Sequence, residues 1–290
     1  MGSLHRRSFL KWLSSGFVLP IFHAIGGRFP TSPAVVMRIG AKRQRSGNIA
    51  EDFRGEEFRY RMSVLWIKEA AIGRVSFDEA HGGHLYRATV EGKTVGVIGW
   101  LTRYRRDTYT SSMEVVDGGR RLRPLRFEED SVIGEKIRKK ITFFDYQRGR
   151  LIERRMNRRG VFIQTEGEIP QGVIYDDFLT AFYNFRSGVY GEIKRGKGYR
   201  VRTLPKGGIS HIDVEIAAKE EEMRMRGGGG EREDSEYHVT VFLDKEITKS
   251  RTGKVKGWAS KDLVPIEGTI EDVVFVGDVH GFLIGERRAG

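Results

Sequence analysis

The chain has 290 residues, a formal net charge of +12 and no cysteine. The absence of cysteine excludes disulfides, iron–sulfur clusters, thiolate zinc sites and a cysteine nucleophile. The length is sufficient for one large domain or two modest ones, each with a buried core.

The N-terminus has the pattern of an export address. Two adjacent arginines precede a Ser-Phe-Leu-Lys sequence, which is typical of the twin-arginine signal of bacteria. The apolar segment 12–25 is shorter than the roughly 20 residues that a membrane-spanning helix needs. We therefore predict an export signal and linker over residues 1–41, read by an export machinery, and a periplasmic or extracytoplasmic protein. The cleavage site stays open, and an uncleaved anchor is the alternative. The signal residues are Arg6, Arg7, Phe9, Leu10 and Lys11.

From residue 56 to residue 284, short runs alternate apolar and polar residues, with turn residues between them. In the first run, Phe58, Tyr60, Met62, Val64 and Trp66 fall on one face. The connections are too short for parallel crossovers, so we predict an antiparallel meander. The predicted fold is mainly β, a single domain over 56–284 whose sheet is strongly curved or barrel-like.

The same reasoning predicts one conspicuous helix, near 176–186. Asp176 or Asp177 supplies a carboxylate for its N-terminus, and its apolar residues recur with helical spacing. The charged segment 219–236, with four consecutive glycines, is predicted to be a mobile loop. A second strand is expected to follow a break at residues 70–71. The remaining strands are predicted near 84–92, 94–104, 107–116, 125–129, 137–145, 199–203, 211–217, 237–243, 272–276 and 279–284.

Several stretches together resemble an exported bacterial family called domain of unknown function 3108. They include YRMSVLWIKEAAIGRVSFDE, RLRPLRFEED, IPQGVIYDDFLTAFYNFRSG and WASKDLVPIEGTIEDVVFVGDV. The resemblance spans residues 56–280 and implies an envelope-associated β protein without an assigned reaction. The chain departs from the family pattern in its twin-arginine signal and in the glycine-rich insertion near Gly227.

Two short motifs suggest metal chemistry but lack partners. GDVHG at 277–281 resembles the opening of metallophosphoesterases, yet few residues and no further ligands follow it. HGGH at 81–84 lacks a third ligand nearby in the sequence. The acidic run 128–130 is interpreted as a surface feature, because consecutive strand residues point alternately to opposite faces. We therefore predict no metal site, no cofactor and no catalytic residue.

The leading hypothesis is a non-enzymatic envelope protein that binds a lipid or other amphiphile in its curved sheet. An alternative is an assembly or docking factor that binds protein or anionic glycan through basic strands, with Arg103 and Arg105 on one strand face. A hydrolase of envelope polymers is a third class, without a supporting motif. Export away from the cytoplasm argues against nucleic acid as a partner. The candidate ligand-binding residues are Tyr60, Trp66, Tyr86, Trp100, Arg103 and Arg105.

Overall fold

The structure is a computed structural model that describes residues 46–80, 84–206, 209–226 and 235–288. The predicted export signal, with Arg6 and Arg7, lies outside the described residues, as do the turn at 81–83 and the glycine run at 227–230.

The described chain is dominated by strands, as the alternating pattern predicts. The strands are β1 (Glu56–Val64), β2 (Ile67–Glu79), β3 (Leu85–Thr94), β4 (Arg106–Val116), β5 (Arg121–Ile133), β6 (Lys136–Asp145), β7 (Arg150–Met156), β8 (Phe162–Glu168), β9 (Gly198–Lys206), β10 (Ile209–Ile216), β11 (Tyr237–Phe242), β12 (Lys254–Ala259), β13 (Pro265–Val273) and β14 (Gly277–Arg287). The helices are α1 (Ile49–Phe53), α2 (Gly96–Leu101), α3 (Phe178–Ser187), α4 (Lys219–Arg226) and α5 (Lys245–Thr248).

All of these strands form one antiparallel sheet of fourteen strands, in the order β8-β7-β6-β5-β4-β3-β2-β1-β14-β13-β12-β11-β10-β9. Most neighbours in the sheet are also neighbours in the chain. The exception is the pairing of β1 with β14, which joins the two halves and includes the partners Arg61 and Phe282. β8 and β9 are the edges and do not pair with each other, so the sheet is not closed.

Helix α3 shows that this open sheet is curved. Leu179 and Tyr183 belong to the same core cluster as Met113 of β4, whereas Ala181 packs in a second cluster with Val214 of β10. β4 and β10 are eight steps apart in the sheet order, which in a flat sheet is about 38 Å. A helix is only about 10–12 Å across with its side chains. Both halves of the sheet therefore bend around the same helix.

The main helix agrees with its sequence signals. The side chain of Asp177 accepts hydrogen bonds from the backbone N–H groups of Leu179 and Thr180, and Gly188 ends the helix in the left-handed region at φ 84°. Asp177 is therefore the N-cap of the two candidates, and the mainly β fold with one conspicuous helix is confirmed.

Several local predictions are wrong. Residues 96–101 form helix α2 inside a predicted strand, and Arg103, which follows it with φ 57°, shares no strand face with Arg105. β2 runs through Ala70–Ala71 without a break. Residues 274–276 connect β13 to β14 rather than forming a strand. Residues 219–226 are helical, and β7, β8 and β12 were not among the predicted strands.

Candidate ligand cavity

A cavity of about 350 Å³ lies between α3 and the inner face of the sheet. Its lining is largely aliphatic and aromatic, and it comes from α3 on one side and from strands of both halves of the sheet on the other. The side chains that define it are Tyr60, Val75, Val90, Phe178, Phe182, Phe185, Val201, Ile212, Val214, Val239, Val241, Val255 and Trp258.

Strand register explains the apolar wall opposite the helix. Val214 of β10 is paired with Val241 of β11, and Val241 is paired in turn with Val255 of β12. Val201 of β9 is paired with Ile212 of β10. Directly paired residues in an antiparallel sheet point to the same face, so these positions build one continuous aliphatic surface. None of these side chains carries a hydrogen-bonding group.

Two glycines widen this wall. Gly257 of β12 is paired with Gly268 of β13, and both line the cavity. A Cβ on Gly257 would lie 2.1 Å from the carbonyl oxygen of Glu267. The close approach of β12 and β13 at this point therefore requires glycine.

The C-terminal end of α3 brings a buried ion pair to the cavity. Arg186 lines the cavity, and its Nη1 and Nη2 donate to Glu56 Oε2 and Oε1 at 2.5 and 2.9 Å. The two side chains are 2% and 0% exposed. Burial alone lowers the pKa of Arg186, but the Glu56 carboxylate outweighs burial and the pKa is raised. Arg186 is therefore a permanent cation at this end of the cavity.

A second, charged pocket of about 430 Å³ adjoins that end. It shares Arg186 and Leu263 with the apolar cavity. Asp262 and Arg288 also line it, and they form an ion pair of 2.8 Å. The apolar cavity and the charged pocket thus meet at the C-terminus of α3.

The N-terminal end of α3 is held by two buried carboxyl groups. Asp177 Oδ2 accepts hydrogen bonds from the hydroxyls of Ser111 at 2.6 Å and Thr180 at 2.9 Å. Asp176 accepts from Asn184 Nδ2 at 3.1 Å and from the Tyr190 hydroxyl. Burial raises the pKa of both, that of Asp176 to about 7. The protein's own donors occupy these carboxyl groups, which anchor the helix to the sheet.

The structure does not bring the six candidate ligand-binding residues together. Tyr60 lines the cavity, and its hydroxyl donates to the carbonyl of Pro265 at 3.1 Å. Tyr86 is buried elsewhere in the core, stacked on Phe77 with ring centroids 5.9 Å apart. Trp66 and Trp100 are 80% and 69% exposed and lie outside the cavity lining.

The two basic candidates also lie outside the cavity lining. Arg103 is exposed in the turn after α2. Arg105 pairs with Asp107 at 2.7 Å. Neither arginine therefore contributes to an amphiphile site inside the sheet.

The GDVHG motif at 277–281 makes local contacts, whereas most of HGGH lies outside the described residues. His280 Nδ1 lies 2.9 Å from Thr269 Oγ1, and Asp278 Oδ1 accepts from the backbone N–H of Asp272 at 2.9 Å. Within the described residues, no group of three or more His, Cys, Asp or Glu side chains is arranged to hold a metal ion. The helices of the described ranges include none long and apolar enough to cross a membrane.

Sequence reasoning missed most of the cavity wall. Val201, Val214 and Val241 lie on predicted strands, and their alternation with polar residues marks them as an inward face. Trp258 lies on β12. The lysines and the glycine of its sequence, KVKGWA, weaken the strand pattern, so β12 was not recognised.

Comparison with known proteins identifies the family. The model of the family described as Protein of unknown function (DUF3108) matches residues 59–279. The chain belongs to the DUF3108 family. The matched range runs from within β1 through β13 and includes α3, so all residues that line the cavity belong to the DUF3108 region. Neither the curated proteins nor the solved structures contain a match to this DUF3108 chain.

Proposed function

We propose that this DUF3108 protein is a non-catalytic binding protein of the cell envelope that holds a lipid or another amphiphile in the cavity beside α3. The observation that carries the proposal is the cavity of about 350 Å³ with its continuous aliphatic wall. Small-molecule sites typically measure about 300–1,000 Å³ and are mostly apolar, with a few polar groups that fix orientation.

The arrangement of polar groups supports an amphiphile over a purely apolar ligand. The aliphatic wall of Val214, Val241 and Val255 offers no hydrogen bonds, which suits an alkyl chain. The charged pocket adjoins this wall at Arg186 and Leu263. A ligand with its chain against the valines and its polar group in the charged pocket would satisfy both environments.

Export by the twin-arginine route to the periplasm is part of the proposal. It is supported by Arg6 and Arg7 with the following Phe9, Leu10 and Lys11. The export machinery would be the partner of this N-terminal segment.

Docking onto protein or anionic glycan through the basic strands has less support. Two of the three lysines of β6 are neutralised across the sheet, since Lys139 lies 3.3 Å from Asp130 and Lys140 lies 3.3 Å from Glu129. Arg103 and Arg105 do not share a strand face as predicted, because both lie between α2 and β4. This alternative is retained as an outcome of the test below.

Native mass spectrometry with lipid extraction tests the proposal on protein purified from the envelope fraction without detergent. We expect a stoichiometric adduct that releases a lipid. Val241→Trp, which places an indole in the cavity, should abolish the adduct. The matched control Ile284→Trp should keep it, because Ile284 is 55% exposed and lies outside the cavity lining. A bare polypeptide mass, together with no binding of a pyrene-labelled fatty acid, would overturn the proposal and favour the docking role.

A further inference from the structure

One end of the sheet carries a row of exposed apolar side chains, which we call the apolar tips. They lie on three chain connections: the β1–β2 turn, helix α2 between β3 and β4, and the β13–β14 turn. Their exposures are 94% for Phe275, 80% for Trp66, 69% for Trp100, 65% for Leu65, 64% for Val97 and 38% for Val274.

The strand pairings place the three connections side by side. Val64, at the end of β1, is paired both with Ile67 of β2 and with Val279 of β14. Ala71 of β2 is paired with Thr94, the last residue of β3. The strands involved are consecutive in the sheet, in the order β4-β3-β2-β1-β14-β13. The tips therefore form a line about 24 Å long, estimated from the spacing of neighbouring strands.

Backbone conformation gives an independent indication that these side chains are not placed for folding alone. Leu65 and Phe275 adopt positive φ angles of 52° and 74°. Glycine or asparagine is favoured in that region, and a bulky residue there is strained. Folding alone would favour a small polar residue at such a solvent-exposed turn. The chain instead projects large apolar groups.

Cations flank the apolar tips. The connections and the adjacent β5–β6 turn, over residues 65–69, 96–105, 134–138 and 274–276, contain five Lys or Arg and two Glu. Arg105 is paired with Asp107. Lys68, Arg103, Lys136 and Arg138 are exposed and have no ion pair among the described residues.

We propose that this end of the sheet docks on the surface of an anionic lipid bilayer, with the apolar tips inserted among the head groups. Tryptophan and phenylalanine next to Lys and Arg are the combination that binds membrane interfaces. The basic residues supply attraction to anionic head groups. Separate tips spaced along a line suit a fluid surface, whereas a protein partner needs a continuous complementary patch.

The proposal concerns a surface outside the cavity and does not rest on the proposed function. The apolar tips are distinct from the cavity lining. Val241→Trp should therefore leave vesicle binding unchanged, and the two proposals fail separately.

The first test is co-sedimentation of the full chain with phosphatidylcholine vesicles, with and without phosphatidylglycerol. We expect binding that requires phosphatidylglycerol and weakens with added salt. Trp66→Ser with Phe275→Ser should weaken it at least about tenfold, given the free energy of burying two aromatic side chains. The matched control is Met223→Ser with Met225→Ser, whose side chains are 64% and 49% exposed. Both methionines lie on α4, which connects β10 to β11 at the opposite end of the sheet. It should bind as the native chain does.

The second test locates the contact, so that binding through the N-terminal segment does not obscure the result. Because the chain has no cysteine, Phe275→Cys and Met223→Cys each give a single site for an environment-sensitive fluorophore. On adding anionic vesicles, the label at 275 should shift to the blue and the label at 223 should not. Equal behaviour of the two labels, or unchanged binding by the serine variants at 66 and 275, overturns the proposal and leaves a protein partner as the explanation of the tips.

Discussion

Removal of the Glu56 carboxylate should be among the most destabilising single changes in the described chain. In Glu56→Ala the Arg186 guanidinium would remain buried without its counter-ion, since the two side chains are 0% and 2% exposed. Losing one partner of a buried pair costs about 3–5 kcal/mol. The rings of Phe53 and Phe182 lie 4.8 and 5.1 Å from the guanidinium carbon and retain part of the stabilisation of the cation. We therefore expect a loss near the lower end, about 3 kcal/mol.

Urea unfolding followed by circular dichroism measures this loss. The matched control is Asp213→Ala, which removes the acid of a solvent-accessible pair with Arg200 at 2.9 Å and a contact of 3.2 Å with His211. Its loss should cost about 0–1 kcal/mol. A double-mutant cycle combines Glu56→Ala with Arg186→Met. The double variant should be more stable than additivity predicts, because the methionine leaves no buried charge behind. Equal losses for Glu56→Ala and Asp213→Ala, or strict additivity in the cycle, would refute the reasoning.

Two further predictions concern the carboxyl group before α3 and the glycine contact in the cavity wall. The pKa of Asp176 is raised from its usual 3.8 to about 7 by burial, so the folded chain keeps a proton that the unfolded chain has released, and the resulting stability is lost as the pH rises through that interval. Urea midpoints of the native chain should fall relative to Asp176→Asn between pH 3.8 and about 7, and a constant difference would contradict this. Gly257→Ala should lower the melting temperature markedly, since its Cβ would meet the Glu267 carbonyl oxygen at 2.1 Å. Gly92→Ala, with no atom within 4 Å of the added carbon, should change little, and equal shifts in the two variants would show that the close approach is not limiting.

Much of the fold follows from local pattern. The alternation in Phe58 to Val64 and in IRKKITFFD predicts β1 and β6, and the stripe from Phe178 to Phe185 predicts α3. Where the pattern failed, short-range contacts outweighed propensity. The sequence of α2, GVIGWL, favours a strand, yet the Thr102 hydroxyl donates to the Ile98 carbonyl at 2.7 Å and the chain turns back on itself.

The cavity could not be predicted from the same pattern. Alternation shows which residues of one strand share a face, but it does not show which strands lie opposite each other. Tyr60 and Val214 line the same cavity because β1 pairs with β14 and the far strands curve back over α3. That arrangement depends on contacts between residues more than a hundred positions apart, for which the local pattern carries no signal.

The way α3 is anchored explains why a cavity persists beside it. A helix held by apolar packing alone would be enclosed on every side. Here buried polar contacts hold both ends: Asp177 accepts from the Ser111 hydroxyl at 2.6 Å at the N-terminal end. At the C-terminal end, Asn184 pairs with both backbone groups of Leu122 at 2.9 Å and Arg186 pairs with Glu56. These contacts fix the helix independently of its cavity side, where Phe178 and Phe182 are only partly buried. Buried polar groups are stabilising only when they are satisfied, so this anchoring depends on the partners of Asp177, Asn184 and Arg186. With the helix held in this way, its apolar side chains Phe178, Phe182 and Phe185 line the cavity.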